Sequence, residues 1–325
     1  MIEAAPSDSP ESRLPGFENL ASPLFIAWQT TGVCNMGCLH CCEESGHHMP
    51  NEMNEEAAVN LCQEIIDLEI PYTALSGGEP LLHPNFFAIC KSLRARGVSV
   101  KIETNGVFVD ETMADRIAEL GLRSVQLSVD GATPETHEKL RLRGDWEKTV
   151  QACRLLVERE VNTEIVFVPT KFNLHQAAEM VDLASSLGVV GFYTGKLMRI
   201  GRAAENWDLL VPSEEQYREF FTVLEKKAEQ YGDKMKVYFY PYDVIEELRY
   251  RRDHPAASLL IIPDGRVKLI GPLPFICGQI GLHPLQEIWE RYKQAWKDPR
   301  VKDYIEDLLK NPALVSNANN WINLF

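Results

Sequence analysis

Cys34, Cys38 and Cys41 form a Cys-x3-Cys-x2-Cys pattern on a stretch that also holds Gly37. Three thiolates so spaced on one loop can hold three irons of a cubane iron–sulfur cluster and leave the fourth iron without a protein ligand. A cluster with four cysteine ligands suits electron transfer. One with a free corner can chelate a small molecule through an amine and a carboxylate, the pair an amino acid offers. Cys38 and Cys41 by themselves would also suit zinc or thiol redox chemistry, with Cys42, His47 or His48 completing a zinc shell.

Three further motifs carry polar groups in order along the chain. Ser76-Gly77-Gly78-Glu79-Pro80 combines two glycines, which let a ligand approach the backbone closely, with a carboxylate able to accept from an ammonium group. Thr104-Asn105-Gly106 and Ser128-Val129-Asp130-Gly131 add hydroxyl, amide and carboxylate groups suited to a ribose or an α-carboxylate. Each alone is ordinary turn chemistry. Their significance is that each follows a segment that reads as a strand.

The elements that must position these motifs alternate. An apolar strand predicted at Leu24 to Gln29 precedes the cysteine loop, and Ala58, Leu61, Cys62, Ile65 and Ile66 then recur at helical spacing. Further strands are predicted near Tyr72, Val98, Ser124, Thr163 and Val189, with helical stretches between them. Strands joined by helical crossovers form a parallel sheet, and right-handed crossovers curl successive units one way. The prediction is an α/β fold: a partial (βα)6 TIM-like barrel over residues 23–204, with its active site where loops leave the carboxyl ends of the strands. Every motif falls on that rim. Beyond Gly201 the alternation stops. A helix from Ser213, a strand at Lys236, a hairpin around Pro263-Asp264-Gly265 and two closing helices predict a small α+β C-terminal extension over residues 205–325. Residues 1–22, rich in Pro, Ser and acid, read as a flexible N-terminal arm.

Composition excludes several functions. A net charge of -14, from 47 acidic against 33 basic residues, repels the phosphate backbones that Lys and Arg must neutralise, so nucleic-acid partners are not expected. No apolar run approaches the roughly 18 residues of a membrane span. Glu3, Asp8, Glu11 and Glu18 stand where a signal peptide would be basic. A cytoplasmic protein is expected. Its 8 cysteines in 325 residues are too sparse for a disulfide scaffold. Cys62, Cys90 and Cys153, set among apolar residues at helical spacing, read as core packing.

The cysteine pattern followed by GGEP, TNG and SVDG resembles the radical S-adenosylmethionine (radical SAM) enzymes from Leu24 to about Ala204. The resemblance implies that Cys34, Cys38 and Cys41 bind a 4Fe-4S cluster, and that Gly77, Gly78 and Glu79 hold the methionyl amine of S-adenosyl-L-methionine. Asn105, Ser128, Asp130 and Arg141 match positions around its carboxylate and ribose. It implies one-electron reduction of the sulfonium, releasing methionine and a 5′-deoxyadenosyl radical that takes hydrogen from an unactivated carbon. Clusters at the low end of the potential range sit near about -700 mV, so a flavodoxin or ferredoxin is the expected electron donor.

The extension is similar to the SPASM or twitch extensions of peptide-modifying and cofactor-building members, through Ile261 to Val267 and Leu285 to Trp289. It departs from them where a Pro-Cys should follow the hairpin and the chain reads Leu269-Ile270-Gly271-Pro272. Cys277 is the only cysteine beyond Cys153, and one thiol cannot anchor a cubane. A scaffold without auxiliary clusters is therefore expected. The functional expectation is an oxidoreductase or maturase acting on a peptide or a biosynthetic intermediate, with redox-neutral outcomes such as epimerisation or rearrangement favoured. Cys277 is then a candidate hydrogen-atom donor at the barrel mouth. The alternative is a non-catalytic iron–sulfur redox sensor or assembly protein on the same fold.

Overall fold

Strands β1 (Phe25–Thr31), β2 (Tyr72–Gly77), β3 (Ser99–Thr104), β4 (Ser124–Ser128), β5 (Thr163–Phe167) and β6 (Gly191–Gly195) pair in that order, all parallel, in the computed structural model, which describes residues 17–325. Helices α1 (Glu55–Asp67), α2 (Phe86–Ala95), α3 (Glu111–Ala118), α4 (Pro134–Leu140), α5 (Trp146–Glu158) and α6 (Ala177–Ser186) make the crossovers. The expected partial TIM-like barrel is the observed one. Alternate strand residues account for it: Ile26, Trp28, Leu75, Val100, Ile102, Val125, Leu127 and Ile165 are fully buried in the core they share with the helices. Helix α1 buries Ala58, Leu61, Cys62 and Ile65 on one stripe and is capped by Asn54, whose side chain accepts from the Ala57 amide. Each such buried aliphatic side chain contributes about 1.5–3 kcal/mol. Cys62, Cys90 and Cys153 lie in the same core, where burial pushes each thiol up to about 12.

The sheet continues past residue 204. After α7 (Arg202–Glu205), α8 (Trp207–Leu210) and α9 (Glu214–Tyr231), strand β7 (Lys236–Tyr240) adds parallel to β6, pairing Gly191 with Lys236. Helix α10 (Val244–Arg251) follows. Its sequence carries almost no apolar period because only Leu248 is buried, and a capping box between Asp243 and Glu246 starts it instead. Strand β8 (Ser258–Ile261) then crosses to the other edge and pairs in parallel with β1. It forms the expected hairpin with β9 (Arg266–Lys268), and β10 (Phe275–Gln279), α11 (Leu285–Ala295), α12 (Pro299–Lys310) and β11 (Ile322–Asn323) complete the chain. Among the described residues one sheet of 11 strands results, in the order β11-β10-β9-β8-β1-β2-β3-β4-β5-β6-β7.

Buried Lys268 ties the hairpin to the C-terminal segment, its Nζ donating to the carbonyls of Gly271 (2.9 Å) and Ala318 (3.1 Å). Residues 1–16 of the arm expected to be flexible lie outside the described residues. The remainder docks on α11: Phe17 meets Trp289 edge-on with ring centroids 5.5 Å apart, and the Trp289 indole donates to the Leu20 carbonyl.

Candidate functional site

The cysteine loop leaves β1 and is held from three sides. Gly37 and Leu39 donate backbone N–H to the carbonyls of Leu142 and Leu140 at the end of α4. Arg202, opening α7, donates through Nε to the Cys38 carbonyl (3.0 Å) and through a terminal nitrogen to the Ser45 carbonyl (2.6 Å). Gly201 permits this approach. It adopts φ +56°, and a Cβ there would sit 2.5 Å from the Cys42 carbonyl oxygen.

The third side is the Gly77-Gly78 turn after β2. Gly78 and Glu79 donate to the carbonyls of Thr31 (2.7 Å) and Val33 (2.8 Å), and a Cβ on Gly78 would collide with the Val33 carbonyl. Fully buried Glu79 locks the turn to the loop after β3. One carboxylate oxygen accepts from the Thr104 hydroxyl (2.7 Å) and the Leu81 amide (3.1 Å), and the other from the Asn105 amide (2.9 Å). Burial nonetheless pushes its carboxyl up to about 7 against those donors. The Asn105 side chain then reaches Asn35 on the cysteine loop (2.8 Å).

A second buried carboxylate organises the loop after β4. Asp130 accepts from Arg141 Nε (2.6 Å) and the Val168 amide (2.7 Å), and pairs with His40 Nε2 at 3.0 Å. Burial opposes its ionisation, but Arg141 and His40 hold its carboxyl well below the usual carboxylate range. Arg141 in turn places a terminal nitrogen 3.7 Å from Cys38 Sγ. The thiols are themselves short of positive charge. Burial, with Cys38, Glu79 and Cys41 nearby, drives Cys34 up to about 11 despite a bond from the Met36 amide, and burial raises Cys38 even with Arg141 beside it. Cys42, the next residue after the triad, turns its thiol to the Glu43 carboxylate (3.4 Å).

These groups surround one cavity of about 870 Å³ at the carboxyl ends of the barrel strands. Cys34, Cys38, Cys41, Gly77, Gly78, Asn105, Ser128 and Arg141 all line it. A model of the Radical SAM superfamily matches residues 28–184 of the chain. The chain belongs to the radical SAM superfamily.

It is 27% identical over 292 residues to an AdoMet-dependent heme synthase of Methanosarcina barkeri, an alignment covering 83% of this chain and 82% of that protein. It is 31% identical over 212 residues to mycofactocin maturase MftC of Mycolicibacterium smegmatis, covering 65% of this chain but only 54% of the maturase. The chain thus matches about half the length of that relative. Among solved structures, Streptococcus suis SuiB bound to precursor peptide SuiA is similar in fold, with a TM-score of 0.71 at 13% identity, over 88% of this chain and 67% of that one. Native anSMEcpe with bound AdoMet gives 0.62 at 18% identity, over 84% and 82%.

Membership of the radical SAM superfamily implies a 4Fe-4S cluster and S-adenosylmethionine, and the donor set fits them. Three thiols on one loop, two of them raised by burial, are stabilised by a group that supplies positive charge and takes the thiolate form. The cavity beside them has room for a nucleoside amino acid, a size typical of ligand sites. Of the radical SAM residues expected from the sequence, Glu79 and Asp130 stand behind the lining, where they position the turn and Arg141.

Cys277 is placed elsewhere, which corrects the expectation that it faces the barrel mouth. It lies on β10, fully buried in the core beneath α11, away from the large cavity. Burial alone pushes its thiol far up. The lack of alternation along the strand explains the difference: Ile276 and Cys277 occupy a segment buried on both faces, so no sequence period marks the side on which the cysteine projects.

Sequence reasoning missed the polar barrel interior. Lys101 and Glu103 of β3, Gln126 of β4 and Tyr193 of β6 line the cavity. Lys101 Nζ pairs with Glu164 of β5 at 2.9 Å. The available signal was a polar–apolar alternation in strands whose helix-covered parallel sheet should otherwise read as continuously apolar.

Proposed function

We propose that this radical SAM enzyme cleaves S-adenosylmethionine reductively at a single 4Fe-4S cluster and abstracts hydrogen from a peptide. Cys34, Cys38 and Cys41 would hold three irons, leaving the fourth for the methionyl amine and carboxylate. The observation that carries this reading is the opening of all three thiols onto the cavity that Gly77, Gly78, Asn105, Ser128 and Arg141 also line. When bound, the reduced cluster would supply one electron to the sulfonium of S-adenosylmethionine, whose carbon–sulfur bond would break to give methionine and a 5′-deoxyadenosyl radical that becomes 5′-deoxyadenosine on taking hydrogen from the substrate.

The chain's residues set the conditions for that chemistry. The Gly77-Gly78 backbone allows a close approach, Arg141 presents a cation held in place by Asp130, and Glu79 fixes the turn. The polar interior below offers hydrogen-bonding groups to a substrate. A flavodoxin or ferredoxin supplies the electron. With Cys277 buried and no other cysteine in the extension, a redox-neutral conversion such as epimerisation or rearrangement is the reading the cysteine count supports. Likeness to mycofactocin maturase MftC, together with a fold shared with SuiB, whose structure holds precursor peptide SuiA, supports a peptide substrate. A tetrapyrrole is the second reading, favoured by an alignment that spans 82% of the heme synthase.

The test is anaerobic reconstitution with iron and sulfide, followed by reduction in the presence of S-adenosylmethionine. Methionine and 5′-deoxyadenosine should form in equal amounts, even without substrate. A fully reconstituted protein that forms neither would contradict the proposal and support the sensor alternative.

A further inference from the structure

The cavity contains a carboxylate with no partner. Glu103, at the end of β3, lines it, and among the described residues its side chain makes neither a hydrogen bond nor an ion pair. Lys101, two residues earlier on the same strand, is engaged elsewhere, since its Nζ lies 2.9 Å from Glu164 and 5.0 Å from the Tyr193 ring centre. Burial raises the Glu103 carboxyl, the carboxylates of Glu164 and Glu43 add to the rise, and Lys101 only partly offsets them.

The other basic groups of the cavity are also committed. Arg141 pairs with Asp130 (2.6 Å), Lys196 with Glu214 (3.1 Å), and Arg202 donates to the Cys38 and Ser45 carbonyls. With Arg141 turned to the cofactor in the reading above, no lysine or arginine of the lining is left to neutralise a substrate carboxylate. Tyrosines stand on the β6 and β7 side. Tyr193 stacks on Tyr238 with ring centroids 4.7 Å apart, and Tyr240 meets Tyr242 edge-on at 5.2 Å. All four line the cavity, and Tyr238 and Tyr240 are 49% and 47% exposed. An unpaired carboxylate gains from a charge-assisted hydrogen bond, and a tyrosine face attracts a cation held over it.

We propose that the substrate is a peptide presenting a basic side chain, lysine or arginine, whose cation docks between Glu103 and the tyrosine wall. This inference rests on the peptide reading above. It also separates the two substrate readings, because a tetrapyrrole bearing carboxylates would meet Glu103 with like charge and find no free cation.

The probes are three N-acetylated pentapeptide amides of sequence Gly-Gly-X-Gly-Gly, with lysine, norleucine or glutamate at X, titrated calorimetrically into the reconstituted holoenzyme. Norleucine matches the lysine stem without its charge, so the comparison isolates the cation. The lysine peptide should bind about tenfold more tightly than either of the others, a difference of about 1.4 kcal/mol. Glu103→Gln should erase that preference, and Glu103→Asp should keep part of it, each checked for iron content against the unaltered protein. A lysine peptide that binds no better than the norleucine or glutamate peptide overturns the inference, as does a preference that survives Glu103→Gln with full iron content. The wild-type comparison needs no variant to fold. Formation of 5′-deoxyadenosine without peptide reports separately on the radical reading: its presence with no lysine preference removes this inference alone, and its absence removes the reading beneath it.

Discussion

Replacing Cys34, Cys38 and Cys41 together with Ala should abolish cluster binding and reduce 5′-deoxyadenosine formation to the level of a blank. The expectation follows from the ligand count: among the described residues Cys42 is the only other cysteine that lines the cavity the three thiols share. Cys42 is the one neighbour that could substitute, and its thiol is turned to Glu43. The single variant Cys42→Ala should therefore keep wild-type iron content. The triple variant should remain folded, because the loop is held by backbone bonds from Gly37 and Leu39 and by Arg202, none of which uses a thiol. Iron analysis and circular dichroism together check the pair of results. Wild-type iron in the triple variant would show that the ligands lie elsewhere.

The second large effect is expected at Asp130. Changing Asp130→Asn removes the charge that Arg141 and His40 share while keeping nearly the same volume. Arg141 is then left buried beside Cys38 without a counter-charge. Breaking a buried pair from one side costs about 3–5 kcal/mol, to be measured by urea unfolding at neutral pH. The pH dependence has a definite sign. Because the folded carboxyl is held below its unfolded value of about 3.9, its stabilisation is complete above that value and is lost as pH falls through the interval down to the folded one. The gap between wild type and Asp130→Asn should accordingly be widest near neutrality and close in acid. A loss under about 1 kcal/mol at neutral pH, outside the range for breaking a buried pair, would mean that Asp130 does not hold Arg141 in place. Cofactor affinity should fall with stability, since the same change frees the arginine that lines the cavity.

The barrel was legible because strand and helix periods differ, and because Ala58, Leu61, Cys62 and Ile65 repeat cleanly while the polar motifs fall between periodic segments. The cysteine loop and the Gly77-Gly78 turn were legible because loop chemistry is local. The roles of Glu79 and Asp130 were harder to see. A carboxylate after a strand can face a ligand or its own loops, and only the positions of Thr104, Asn105, Arg141 and Val168 decide which. The continuation of the sheet through β7 and β8 was not legible either, since pairing partners far apart in sequence leave no local trace. Strand β7 looks like part of an appendage until Gly191 is found opposite Lys236. Cys277 shows the same limit, because a residue on a doubly buried strand carries no sign of the side it faces.

The account depends on a cluster corner that binds the amino-acid end of the cofactor. Electron–nuclear double resonance on the reduced, reconstituted protein with S-adenosylmethionine labelled at the methionyl nitrogen tests that point most directly. We expect a hyperfine coupling from the labelled nitrogen strong enough to place it on an iron, lost when unlabelled cofactor replaces it. A reduced cluster that binds the cofactor without any such coupling, or one whose fourth iron carries a side-chain nitrogen or sulfur instead, would contradict it.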